Sequence, residues 1–174
     1  NRLRVFFVLL VVSGLLGVAG FAAYELQSRP ITSVRVAGDL WHTSRSDLEA
    51  AVAEHITVSL YRVDVDAIRE AALSLPWVKE TSVRRAWPDS LHLAIIEREP
   101  VARWPEGGLV EVTGEVFFPE SVDEFTHLPL LEGPSGSAER MLEKYWVFQT
   151  RLHPTGWEIT RLVLNHRGSW YAEL

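Results

Sequence analysis

The chain has 174 residues, with 23 acidic against 17 basic side chains, a net charge of −6 and no cysteine. The missing thiols exclude a disulfide framework, a thiolate nucleophile and any cysteine metal site, and the acidic balance argues against nucleic acid as a partner. That length is enough for a membrane segment and one or two small domains, and an apolar fraction of 47% argues against wholesale disorder.

Residues 1–4 read as a short, truncated start and residues 5–24 as a transmembrane helix, because VFFVLLVVSGLLGVAGFAAY contains no charge. A helix of that length spans roughly 30 Å, the thickness of a bilayer's hydrocarbon core. Arg2 and Arg4 precede it, which predicts a cytoplasmic N-terminus with the bulk of the chain outside. The rival is a cleaved signal peptide ending near Gly20-Phe21-Ala22, although its apolar core would be long for that purpose. Gly14, Gly17 and Gly20 suggest either a helix-pairing face or the ordinary glycine content of membrane helices.

After a polar connector at 25–30, residues 31–36 alternate as a first strand that ends at Ala37-Gly38. Ser46-Asp47-Leu48-Glu49 fits a capping box opening a helix. Asp64 is a good N-cap for a second, in which Val65, Ile68, Ala72 and Leu75 fall at helical spacing before Pro76 stops it. Residues 78–86 and 91–96 then form two strands around the turn chemistry of Pro88-Asp89. Residues 31–99 therefore read strand, helix, helix, strand, strand.

From Pro100 onward short apolar pieces (Val101-Ala102, Leu109-Val110, Val116-Phe117-Phe118) are separated by glycines. A helix follows from about Ser137 to Leu152, with Met141, Tyr145, Phe148 and Leu152 on one face. Residues 159–164 and 169–174 form a final hairpin around Asn165-His166-Arg167-Gly168. The chain stops inside that last strand and is taken as a piece of a longer protein. The fold class is α+β: an anchor helix, a small β-α-α-β-β domain and a mostly-β domain with one helix.

Catalytic patterns are missing from the sequence. The six histidines have no metal-ligand spacing, and Gly133-Pro134-Ser135-Gly136 is not a nucleophile elbow but a loop feeding the N-cap of the next helix. Glu97 and Glu99, beside Arg98, fit a solvated strand edge, and Asp64 and Asp66 fit a helix start. The seven tryptophans are scattered, with Trp77, Trp87 and Trp104 at element boundaries where large rings seal small cores. The reading is therefore no enzyme, no cofactor and no metal. Strand edges are left as working surfaces, since unpaired backbone groups there accept an added strand. Lys79, Glu80, Arg84 and Arg85 charge the strand at 78–86, as gatekeepers against pairing or as part of a contact.

Leu75-Pro76-Trp77-Val78, Val83-Arg84-Arg85, Trp87-Pro88 with Leu91, and Glu97 followed by Pro100-Val101-Ala102-Arg103-Trp104 resemble the bacterial FtsQ/DivIB cell-division family. The resemblance implies a POTRA domain at 31–99 and an FtsQ-type β-domain at 100–174 whose C-terminal strands are missing. Leu109-Val110-Glu111, with Gly114 and Val116-Phe117, matches a family motif that often has aspartate at the Glu111 position, a conservative departure. It further implies a scaffold of the inner membrane at the division septum, with FtsB and FtsL as partners in a complex containing FtsW and FtsI. Contact positions implied by it are Glu80, Val83 and Arg85 on the POTRA edge and Arg167 in the final turn, the last also readable as an ordinary turn arginine. An alternative is a POTRA-bearing factor for outer-membrane protein assembly or secretion, which would need several POTRA repeats and a barrel.

Overall fold

The computed structural model describes residues 2–28, 30–56 and 59–174, so Asn1, Arg29, Thr57 and Val58 lie outside it. Helix α1 runs Arg2–Ser28, four residues beyond the expected membrane segment and through most of the expected connector. Its described side chains are all exposed, and nothing lies within 4 Å of where a Cβ on Gly14, Gly17 or Gly20 would stand. Among the described residues no helix is both long and apolar enough to cross a membrane.

Two compact units divide the chain. The first holds residues up to Leu75 together with Glu80–Ile96; the second holds Pro76–Lys79 and Glu97–Leu174. Beyond α1, the first unit is built from β1 (Ser33–Ala37), α2 (Arg45–Ala53), α3 (Val65–Leu73), β2 (Val78–Ala86) and β3 (Ser90–Glu97). The sheet order is β1-β3-β2, with β1 parallel to β3 in the register Ser33↔Ser90 through Ala37↔Ala94. Alternation on β3 decides which face is covered: Leu91, Leu93 and Ile95 are buried while His92, Ala94 and Ile96 are exposed. Leu48 and Val52 of α2, Ile68 and Ala72 of α3, and Leu60 and Val63 between the helices complete the buried set. At the end of β1, Gly38 has φ +130°, and a Cβ there would overlap the carbonyl oxygen of Ile95. Only glycine fits that crossing.

Local chemistry explains both helix starts. Asp64 caps α3 as expected, its carboxylate accepting from the amides of Asp66 and Ala67 at 3.0 and 3.1 Å. The capping box expected at Ser46–Glu49 does not form. Ser44 is the cap instead, in an extended conformation with its Oγ accepting from the Asp47 amide at 3.0 Å. Ser46 already lies in the first turn and shares a 2.8 Å hydrogen bond with the Ser44 hydroxyl.

The second unit contains β4 (Pro100–Trp104), β5 (Gly108–Glu111), β6 (Val116–Phe117), β7 (Leu130–Glu132), α4 (Ala138–Leu152), β8 (Arg161–Leu164) and β9 (Trp170–Glu173). They form one six-stranded sheet in the order β6-β5-β4-β7-β8-β9. Pairing is parallel for β4–β7 and β7–β8 and antiparallel elsewhere. Residues Leu109 and Val110 on β5 point to opposite faces, and both faces are covered. On one, Val110 joins Ala102, Leu131, Leu162 and the α4 side chains Met141, Leu142 and Tyr145. On the other, Leu109 joins Phe117 and Phe125 with Trp77 packed against them. Trp77 meets Phe117 edge-on at 5.2 Å between ring centroids. The helix expected from Ser137 is present, but Ser137 does not cap it, because its hydroxyl donates to the Pro134 carbonyl at 2.6 Å.

Two outcomes follow for stability. Leu93→Ala removes a fully buried side chain and is expected to cost about 2–5 kcal/mol, whereas His92→Ala on the open face costs less than about 0.5 kcal/mol. Denaturant titration of the first unit's transition separates them. Burial, followed by the Glu158 carboxylate, pushes the Tyr145 hydroxyl above its ordinary value of 10.0. The folded state therefore favours neutral Tyr145: its contribution is complete below the unfolded-state pKa and is lost as pH climbs through the folded one. Tyr145→Phe should flatten the fall in stability above about pH 10, as read by thermal melts across the alkaline range.

Candidate functional site

Edges of the two sheets are the first candidates. Strand β2 closes the three-stranded sheet on one side, and among the described residues no strand pairs with its outer edge. Glu80 is exposed on it, Val83 is half-buried and Arg85 is exposed. These three do not converge on one face. Glu80 follows the parity of Ser82 and Arg84, whereas Val83 and Arg85 follow that of buried Thr81. Arg85 also has an internal task, since its Nη2 donates to the Val63 carbonyl at 2.8 Å.

In the second unit β9 ends the six-stranded sheet. Arg161 laces the strands beside it, reaching Glu132 of β7 at 2.6 Å and Glu173 of β9 at 3.3 Å. The hydrogen bond and charge of Glu132, helped by Glu173, hold its guanidinium above its usual pKa. Arg167 sits exposed in the β8–β9 turn. Asn165 shapes that turn: its Oδ1 accepts from the amides of Arg167 and Ser169, each at 2.9 Å. The turn forms one wall of a cleft whose other wall is the segment Pro134–Ser137 with Arg140 of α4. Arg140, His166 and Arg167 line this cleft, and among the described residues no carboxylate does. Arg140 also lies over the Trp170 ring, 5.9 Å from its centroid.

One buried charge escaped the sequence reading. Glu111 is only 1% exposed, and its carboxylate meets Lys79 Nζ and Arg98 Nη1, each at 3.4 Å, and the Thr113 hydroxyl. Arg98 bridges on to Glu115 at 3.1 Å, lies 5.4 Å from the Phe117 ring centroid and donates its amide to the Trp77 carbonyl at 2.8 Å. Arg98 is therefore part of a folded node, while its neighbour Glu99 is exposed. A carboxylate inside the otherwise apolar run GLVEV was the available signal, because such a group stays buried only with partners. Among the described residues no cluster of three or more metal-ligating side chains exists.

Comparison with known proteins agrees along nearly the whole chain. Residues 29–98 match the family model "POTRA domain, FtsQ-type", and residues 102–174 match "Cell division protein FtsQ/DivIB, C-terminal". The cell division protein FtsQ of Allochromatium vinosum is 34% identical over 176 residues, covering 100% of this chain and 71% of that protein. FtsQ of Methylomonas methanica is 31% identical over 171 residues, covering 98% and 69%. FtsQ of Coxiella burnetii is 31% identical over 163 residues, covering 94% and 66%.

Glu111→Ala leaves Lys79 and Arg98 without their shared partner. It is expected to destabilise the second unit by about 2–4 kcal/mol, less than a fully buried pair because both cations keep some solvent. Glu115→Ala, on the exposed end of the same chain of charges, should cost no more than about 1 kcal/mol. Chemical denaturation followed by near-ultraviolet circular dichroism distinguishes the two.

Proposed function

Because the chain belongs to the FtsQ/DivIB family of cell division proteins, we propose that it is a non-enzymatic scaffold of the bacterial divisome. In this reading α1 anchors it in the inner membrane with the N-terminus cytoplasmic, and the POTRA domain at 31–99 and β-domain at 100–174 are periplasmic. Support for the anchor comes from the charge-free run at 5–24 and from the exposure of every described side chain of α1. A helix apolar all round needs either a protein interior or lipid around it.

The partners proposed are FtsB and FtsL, within a complex that includes FtsW and FtsI. The observation that carries the partner reading is the cleft at the β8–β9 turn, where Arg140 of α4 and Arg167 of the turn line one hollow. An acidic segment of a partner would pair its charges with those two arginines. A second contact, to other division proteins, would run along the edge of β2 through Glu80 and Val83. Arg85 contributes there only alongside its bond to Val63.

Co-purification from detergent-solubilised membranes tests this. The chain should recover FtsB and FtsL, and Arg167→Glu combined with Arg140→Glu should lower recovery about tenfold or more. Equal recovery by the charge-reversed protein would remove the cleft from the interface. Absence of both proteins from the wild-type eluate would overturn the scaffold reading. A photo-crosslinker at Glu80 or Val83 that yields no division-protein adduct in dividing cells would remove the β2 edge.

A further inference from the structure

One end of the first unit carries features that neither its core nor its sheet edges use. The chain leaving α1 is fastened there twice. Pro30 forms an antiparallel bridge with Ser59, and the Thr32 amide donates to the Asp89 carbonyl at 2.9 Å. Only five residue steps separate Ser28, the last of α1, from Ser33, the first of β1. A fully extended chain of that length covers no more than about 18 Å. Because β1 and β3 are parallel, Ser33 and Ser90 lie at the same end of the sheet, and so does the β2–β3 turn at 87–89.

That end exposes two aromatic rings in contact with each other. Tyr61, in the turn after Ser59, packs edge-on against Trp87 at 4.6 Å between ring centroids. Both remain open to solvent, Trp87 at 58% and Tyr61 at 45%. Arg85 holds the two turns together through the Val63 carbonyl. Exposed Arg62 follows Tyr61 directly in the chain, and exposed Arg84 precedes Trp87 by three residues on β2. The carboxylates of these turns are engaged within the unit: Asp64 caps α3 and Asp89 accepts from the Ser90 hydroxyl at 3.3 Å.

Tryptophan and tyrosine favour the bilayer–water boundary, where an apolar ring and a polar tip are both satisfied. Arginines add attraction to anionic headgroups. We propose that the Tyr61–Trp87 pair, with Arg62 and Arg84, docks into the headgroup layer of an anionic bilayer and rests the first unit on the membrane. The proposal rests on the reading of α1 as a membrane anchor. The short tether supplies the occupant: with α1 in the bilayer, the surface nearest this end of the sheet is lipid.

The test uses the full chain reconstituted in vesicles of phosphatidylcholine with or without phosphatidylglycerol. Trp87 is replaced by p-benzoylphenylalanine, which keeps an aromatic, amphipathic side chain and forms photo-adducts with whatever it touches. Trp41, which is 83% exposed in the loop leaving the other end of β1, receives the same replacement as the reference. Lipid adducts at position 87 should exceed those at 41 several-fold in anionic vesicles. Arg62→Ser with Arg84→Ser should lower the yield at 87 by about fivefold or more, since each arginine near an anionic surface is worth roughly that factor. Equal yields at 87 and 41 in carbonate-washed vesicles that retain the protein would overturn the docking while leaving the anchor intact. Loss of the protein in the carbonate wash would instead remove the anchor, and the docking with it. An adduct at 87 to a protein rather than to lipid in living cells would also overturn the docking and assign this end to a protein partner.

Discussion

A carboxylate cannot stay ionised in an apolar interior without partners, and Glu111 satisfies that constraint by gathering three. Lys79, Arg98 and Thr113 all reach it, from the strand that follows α3, from the segment between β3 and β4, and from its own turn. The consequence lies in how the second unit is assembled. It includes Pro76–Lys79, four residues that precede its main stretch by seventeen positions in the chain. Trp77 contributes to the same attachment by packing with Phe117 and Phe125 on the sheet face opposite α4. The chain thus passes from the second unit to the first within β2, and back again after Ile96.

With those attachments in place, the rest of the molecule is a matter of covering sheets. In the first unit one face of β3 is covered and the other left open. In the second, α4 lies between the parallel strands β7 and β8 in the chain and covers one face, while the Trp77–Phe125 cluster covers the other. A parallel pair needs a crossover connection, and α4 supplies it. Among the described residues β1 and β2 are the outer strands of the three-stranded sheet. Edge strands with unpaired backbone groups are costly to leave bare unless charged, shortened or used. β2 carries charge along its edge, with Glu80, Arg84 and Arg85 exposed. That chemistry discourages indiscriminate pairing while leaving room for a complementary partner.

Much of this was legible in the residues. The alternation of 91–96 and aspartate at 64 are local signals whose physical causes act within a few residues, so the strand and the cap appear where expected, while α3 ends at Leu73, two residues short of Leu75. The same locality explains the misplaced cap of α2. Ser44 and Ser46 are equally good capping side chains, and only the extended backbone at Ser44 decides between them. Arg85 stood out as charge on an edge, but its bond to Val63 depends on a turn twenty-two residues away.

The sequence by itself determined the order of elements across residues 31–99, the charge-free apolar run at 5–24, the lack of thiol chemistry and the family, because each depends on composition, periodicity or a motif read along the chain. Tertiary structure alone decided that Glu111 is buried with two cations, that β7 and β8 pair in parallel, and that Arg140 shares a cleft with Arg167. It also decided that Tyr61 meets Trp87. Each of these joins residues far apart in the chain, and no local rule of spacing or propensity carries information across that distance.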